Sequence, residues 1–152
     1  MRPSEVRARV LEDHEGLRAD LDRLEGLAQR VRRDDCSERD VDALRSDAQT
    51  LLDKLRVHMQ WEDRYLLPAL RSADAWGEER AKRLVDDHRE QRALLDFILE
   101  RLLDDGRPDE LVFSDVFGLI AFLRLDMAEE ESGFVDESLL RDDVIGIEVE
   151  TG

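Results

Sequence analysis

Three histidines stand where apolar residues would be expected on the buried faces of helices. His14, His58 and His88 each continue a series of mostly apolar residues that recur every three or four positions. They are the chain's only histidines, and each lies on a different predicted helix. A single buried histidine is usually a hydrogen-bonded core residue, but three isolated buried imidazoles would each need a partner. A shared metal ion would be that partner, so the three histidines together predict a metal site.

Carboxylates on the same helical faces strengthen this prediction. Glu62 lies four residues after His58, and Glu130 lies four residues after Asp126, so each pair presents two polar groups one turn apart on one face. Carboxylates inside an apolar bundle are costly to bury without a raised pKa or a bound cation. A cation would satisfy the imidazoles and carboxylates together, and this mixed ligand set suits iron, manganese or zinc better than magnesium or calcium.

Four helices are needed to bring these residues together, and the apolar periodicity predicts four. Polar loops at 34–37, 71–77 and 105–108 separate the helical segments. The fourth segment runs through Phe134 and can continue to Leu140, past a weak Ser-Gly pair. Four helices joined by short loops predict an all-α fold, an antiparallel up-down-up-down four-helix bundle.

The candidate ligands also share a depth in this bundle. Each lies about 15 Å along its helix from the same end of the bundle, at about 1.5 Å per residue. The reference points are the candidate N-cap Ser4 for His14, Pro68 for His58, Gly77 for His88 and Leu140 for Glu130. The four residues are therefore expected in one layer.

The composition limits the partners. The chain has 152 residues, of which 39 are acidic and 23 basic, so its net charge is −16 and its length fits one domain. This charge argues against nucleic acid and anionic membranes as partners, and a protein partner stays unknown. The single Cys36 excludes an intramolecular disulfide and fits a reducing compartment.

The ends and the most apolar stretch indicate location and domain bounds. Residues 1–16 carry alternating charges, unlike a secretory signal, and 111–125 is too short to span a bilayer. The protein is therefore predicted to be cytoplasmic. The bundle is assigned to 1–140, and 141–152 is an acidic tail, either frayed or a docking segment.

At these positions the sequence resembles the hemerythrin-like domains, also described as HHE cation-binding domains. The resemblance covers 6–140 and rests on four stretches: the helix around His14, HMQWEDRYLLPAL at 58–70, DDHREQRALL around His88, and DMAEEESGF from Asp126. Each stretch alone is a weak signal. Their order and spacing together make the resemblance fairly specific.

The resemblance implies a four-helix bundle around a non-haem di-iron centre, with two irons bridged by oxo or carboxylate groups. It implies that the terminal ligands are His14, His58 and His88. It further implies that Glu62 and Glu130 are the carboxylates that bridge the two irons. Zinc and manganese are the alternative metals.

Asp126 departs from the family's pattern. Members of the family usually carry a second His-x-x-x-Glu on the fourth helix, and Asp126 stands where that histidine would be. Aspartate is a hard anionic ligand with a shorter reach than imidazole. Three outcomes are open for Asp126: direct ligation, a contact through water, or a half-filled site with one firmly held metal.

Two classes of function use such a centre. As a binding protein, the chain would bind O2 or a related small ligand such as NO or peroxide, in sensing or handling oxygen, NO or iron. As an enzyme, it would break down peroxide or reduce NO or O2 at the same centre. A third reading is a degenerate bundle that holds a single metal or none because of Asp126.

Overall fold

A computed structural model of the chain describes residues 1–33 and 38–143. The described residues form four helices and no strand, as the periodicity predicts. The helices are α1 (Pro3–Arg33), α2 (Glu38–Arg71), α3 (Gly77–Leu102) and α4 (Asp109–Gly133). Cys36 and most of the predicted acidic tail lie outside the described residues. In the described ranges, no helix is both long and apolar enough to cross a membrane.

Neighbouring helices run in opposite directions. Between α1 and α4, Arg18 pairs with Glu131 and Glu25 pairs with Arg124, so a later residue of α1 meets an earlier residue of α4. The same reversed order holds for the contacts of α1 with α2, of α2 with α3, and of α3 with α4. These contacts agree with the predicted up-down-up-down bundle.

Two apolar clusters fill the bundle, with a polar layer between them. The larger cluster draws buried residues from all four helices, including Leu21, Leu52, Ile98 and Leu119. The smaller cluster lies at the end that contains the start of α1, and its buried residues include Leu66. Along α1, α2 and α3, a polar site residue separates the residues of one cluster from those of the other, and Glu130 near the end of α4 separates the larger cluster from the smaller-cluster residues that follow the helix. Burial of the apolar face therefore fixes the depth of the layer.

Helix α4 ends before Leu140, the furthest residue to which the sequence allows it to continue. It stops at Gly133, where the amides of Phe134 and Val135 both donate to the carbonyl of Glu130, at 2.8 and 3.1 Å. The following segment is not helical, and its side chains Phe134, Val135 and Leu140 are buried in the smaller cluster. Leu140 is therefore buried at this end of the bundle although it is not part of a helix.

The start of α1 also differs from the prediction. Ser4 is not an N-cap, because the helix begins one residue earlier at Pro3. Proline suits the first helical position because it lacks the amide that would remain unpaired there. The hydroxyl of Ser4 instead donates to Asp142 Oδ2 at 2.8 Å, which ties the start of α1 to the residues that follow the bundle.

Gly77 is required by close packing where α2 meets α3. A Cβ at this position would collide with the backbone carbonyl oxygens of Leu70 and Arg71. Only glycine allows the first turn of α3 to lie this close to the last turn of α2. The short connection in turn holds the α3 site residue beside those of α2.

Candidate metal centre

The polar layer brings donor groups from all four helices into the core. Its buried members are His14 of α1, His58 and Glu62 of α2, His88 of α3 and Glu130 of α4. Each takes the place of an apolar residue on the buried face of its helix, because its position continues the same three-and-four spacing. Side chains this polar are rarely buried without a partner.

Four of these residues form a compact group of donors. His14, His58, Glu62 and Glu130 each offer one ligand atom, and the four atoms all lie within 4.8 Å of one another. His14 Nε2 is 3.0 Å from Glu130 Oε1, and His58 Nε2 is 3.3 Å from Glu62 Oε1. The ring centroids of His14 and His58 are 5.1 Å apart. We call these residues the four-donor group; it matches the arrangement expected of a site for one metal ion.

His88 adjoins this group through Glu62. Its Nε2 atom lies 3.3 Å from Glu62 Oε1, the same oxygen that His58 Nε2 approaches. Glu62 Oε1 therefore lies close to imidazoles from two helices. This arrangement agrees with the predicted bridging role of Glu62, and the role itself stays a prediction.

Asp126 lies at the edge of the site and is paired with another residue. It lines the same small cavity as the four-donor group but is only half-buried. Its Oδ1 atom accepts a hydrogen bond of 2.6 Å from Gln91 Nε2. The structure therefore brings Asp126 to the rim of the site without making it part of the four-donor group, and its ligation stays a prediction.

Carboxylates outside the layer hold the outer nitrogens of two imidazoles. Asp13 Oδ2 lies 3.2 Å from His58 Nδ1, and Asp63 Oδ1 lies 2.7 Å from His88 Nδ1. In a neutral imidazole, an Nδ1–H group that donates a hydrogen bond to a carboxylate leaves Nε2 as a free electron-pair donor. Each ring is therefore oriented with Nε2 toward the centre, as metal binding requires.

Arginines in turn fix these outer carboxylates. Arg9 Nε donates to Asp13 Oδ1 at 3.0 Å, and Arg92 donates to Asp63. Sequence reasoning missed both carboxylates. The available signal was their position directly beside predicted ligands, Asp13 before His14 and Asp63 after Glu62.

The register of α4 selects one of three consecutive glutamates. Glu130 is buried in the layer, Glu129 is exposed, and Glu131 lies between these extremes. Glu131 pairs with Arg18, and its Oε2 atom is 3.6 Å from His14 Nδ1. Arg18 therefore holds the pKa of Glu131 below its ordinary value. Glu130 is thus the glutamate that lies in the layer, and its binding to a metal stays a prediction.

The two buried glutamates respond in opposite ways to their surroundings. Burial and the charge of Glu62 raise the pKa of Glu130 well above its ordinary value. Burial also acts to raise the pKa of Glu62, but hydrogen bonding with Glu130 and the nearby His58 and His88 lowers it overall. Without a metal, Glu130 is therefore the one of the two that more readily takes up a proton.

The pKa values of the three histidines shift in different directions. Burial and the neighbouring His58 lower the pKa of His14. Burial also acts to lower the pKa of His58 and of His88, but Glu62 and their outer carboxylates raise it above the ordinary value. A divalent cation would replace the protons that these groups otherwise share.

Unsatisfied buried atoms converge on the layer. Five buried donor or acceptor atoms of its residues have no aligned hydrogen-bond partner among the described residues, although some lie close to one another. They are His14 Nδ1, His58 Nε2, His88 Nε2, Glu62 Oε2 and Glu130 Oε1. Leaving such atoms unpaired is costly, and a cation would satisfy most of them at once. The residues present therefore fit a bound metal.

A small cavity adjoins these atoms. Its volume is about 20 Å³, and its lining includes the four-donor group and Asp126 with the apolar side chains of Leu95 and Leu123. A space of this size holds on the order of one or two water molecules. A metal in the layer would therefore have room beside it for a very small ligand.

Comparison with known proteins assigns the chain to a family. No curated protein and no solved structure is similar enough to count as a match. The family model of the hemerythrin HHE cation-binding domain matches residues 6–137, which is most of the chain and includes every residue of the polar layer. A cation-binding role agrees with the donor set and its unsatisfied atoms. The chain belongs to the hemerythrin HHE cation-binding domain family.

Proposed function

We propose that the protein holds non-haem iron in the polar layer and binds O2, NO or peroxide there, in sensing or handling oxygen, NO or iron. The observation that carries this proposal is the four-donor group, with its unsatisfied buried atoms, beside a cavity of about 20 Å³. Two imidazoles with two carboxylates suit iron, and zinc or manganese are the alternatives. The cavity favours a ligand no larger than a few atoms.

The chain's own residues prepare the site. Asp13 and Asp63 orient the rings of His58 and His88 so that their Nε2 atoms face Glu62 in the layer. The apolar clusters on both sides of the layer exclude bulk water, which strengthens the attraction between carboxylates and a cation. Iron bound there would supply a change of oxidation state and an open position for a small ligand.

The two metal positions implied by a di-iron centre are unequal in this chain. The first has the four-donor group. The second has His88 and the shared oxygen of Glu62, with Asp126 at its edge engaged by Gln91. We therefore propose that the first metal binds firmly and that a second iron binds more weakly.

Metal analysis with visible spectroscopy tests the proposal. The purified protein is loaded with ferrous iron without oxygen, and iron per chain and the absorption spectrum are measured before and after oxygen is admitted. We expect bound iron and a spectral change on exposure to oxygen. Iron bound without any response to O2, NO or peroxide would contradict the ligand-binding role, and absence of bound transition metal would support the degenerate reading.

A pair of variants identifies the site. Glu62→Gln removes the carboxylate charge at the centre of the layer, whereas Glu15→Gln makes the same change at an exposed position of α1. We expect iron loss in the Glu62 variant and wild-type iron content in the Glu15 variant. Equal iron content in the two variants would show that the iron binds elsewhere.

A further inference from the structure

A surface cleft between α3 and α4 adjoins the inner cavity of the centre. Its volume is about 300 Å³, and it shares Gln91, Asp126 and Glu130 with the lining of the cavity. Gly133, at the end of α4, lines its outer part. Two of the shared residues therefore separate a space open to solvent from the site of the proposed metal.

The wall between the two spaces is a polar pair. Gln91 Nε2 donates to Asp126 Oδ1 across the gap between α3 and α4, at 2.6 Å. The two helices pack less closely than α1 with α2 or α2 with α3. A polar wall of this kind opens at low cost, because water or a small polar ligand can replace the hydrogen bond while it is broken.

A second route is larger but better closed. A groove of about 590 Å³ between α1 and α2 shares Leu17 and His58 with the cavity. Leu17 is buried in the larger apolar cluster, and the ring of His58 is held by Asp13. Passage there would break apolar packing or turn a proposed ligand away from the centre.

We propose that the cleft between α3 and α4 is the entry route for the small ligand and that the Gln91–Asp126 pair is its gate. This inference rests on the proposed function. It gives Asp126 a role that does not require ligation: its carboxylate closes the route by accepting a hydrogen bond from Gln91. The route admits molecules of very few atoms, as the cavity requires.

Three glycines allow the two routes to be blocked separately. A Cβ would meet no atom within 4 Å at Gly133, at Gly16 or at Gly118, so a side chain can begin at each position without a collision at its first atom. Gly133→Trp fills the cleft, and Gly16→Trp fills the groove between α1 and α2. Gly118→Trp places the same side chain on α4 away from both, as the control.

The measured quantity is the association rate of NO with the ferrous, iron-loaded protein, followed by stopped-flow absorption. We expect Gly133→Trp to slow association on the order of tenfold, which corresponds to about 1.4 kcal/mol in the barrier. Gly16→Trp and Gly118→Trp should leave the rate unchanged. Slowing by Gly16→Trp alone, or equal rates in all three variants, would overturn the proposed route.

Gln91→Ala tests the gate without touching Asp126. We expect faster NO association and faster removal of the iron by a small chelator, with each rate compared at the measured iron content of the two proteins. Unchanged rates would overturn the role of the pair. Iron content, measured first, separates the two proposals: no iron in any protein contradicts the proposed function and this inference with it, whereas bound iron with equal rates contradicts this inference alone.

Discussion

Replacing Asp126 by asparagine is expected to stabilise the metal-free protein at neutral pH. Burial, together with the charge of Glu62, raises the pKa of Asp126 from 3.8 to about 6. The folded chain therefore holds the proton of Asp126 more tightly than the unfolded chain does. The stability that this proton gives is fully present below about pH 3.8 and is lost as the pH rises through about 6.

The size of the effect follows from the pKa difference. A pKa difference of about two, at about 1.4 kcal/mol for each pKa unit, changes the free energy of unfolding by about 3 kcal/mol as an upper limit. Because the side chain of Asp126 is only half-buried, screening by solvent reduces this to about 1–2 kcal/mol. Asparagine keeps the oxygen that accepts from Gln91 but carries no charge, so Asp126→Asn should remove this loss of stability.

The assay is urea unfolding of the metal-free protein between pH 4.5 and 7.5, with wild type and variant compared at each pH. Asp126→Asn should gain stability relative to wild type as the pH rises, and at pH 7.5 its free energy of unfolding should be higher by about 1–2 kcal/mol. Glu129→Gln, an exposed position of the same helix, is the control for loss of one negative charge. A gain that is the same at every pH, or a less stable variant at pH 7.5, would refute the reasoning.

Three further predictions concern the site and its frame. Asp63→Ala should weaken metal affinity about 10–100-fold, measured by competition with a chelator, because no carboxylate then holds the ring of His88. The exposed control Asp96→Ala should leave the affinity unchanged, and equal affinities in the two variants would contradict the role of Asp63. His58→Ala should abolish iron binding and any peroxide breakdown by the iron-loaded protein; peroxide loss that persists in this variant would exclude the centre as its cause. Gly77→Ala should lower the free energy of unfolding by about 1–3 kcal/mol, and a variant as stable as wild type by urea unfolding would show that the backbone relaxes freely there.

The bundle and the polar layer were predictable because one periodicity determines both. Spacing of three and four places His14, His58 and His88 on buried faces, and burial of those faces fixes their depth. The number of residues from Ser4 to His14 and from Glu130 to Leu140 also predicts this layer. It does so although Ser4 and Leu140 are not helix ends, because apolar packing rather than helix length sets the depth.

What the sequence could not give is the pairing of residues on different helices. Asp13 and Asp63 lie among many acidic residues, and only the crossing of α1 with α2 and of α2 with α3 brings them to the imidazoles. The partner of Asp126 was equally hidden. Gln91 lies on α3 and Asp126 on α4, and only the packing of these two helices brings the amide of Gln91 to the carboxylate.

The position of the polar layer allows the chain to fold before it binds a metal. The larger apolar cluster joins all four helices and contains no residue of the layer, so it can hold the molecule together before any cation is captured. Local opening of the structure should then be confined to the end with the smaller cluster, where the non-helical residues after α4 complete the packing. The metal ion would then bind late, to a protein that is already folded. Hydrogen exchange should show that amides around the layer exchange more slowly once the metal is bound, whereas amides of the larger cluster are protected with or without it.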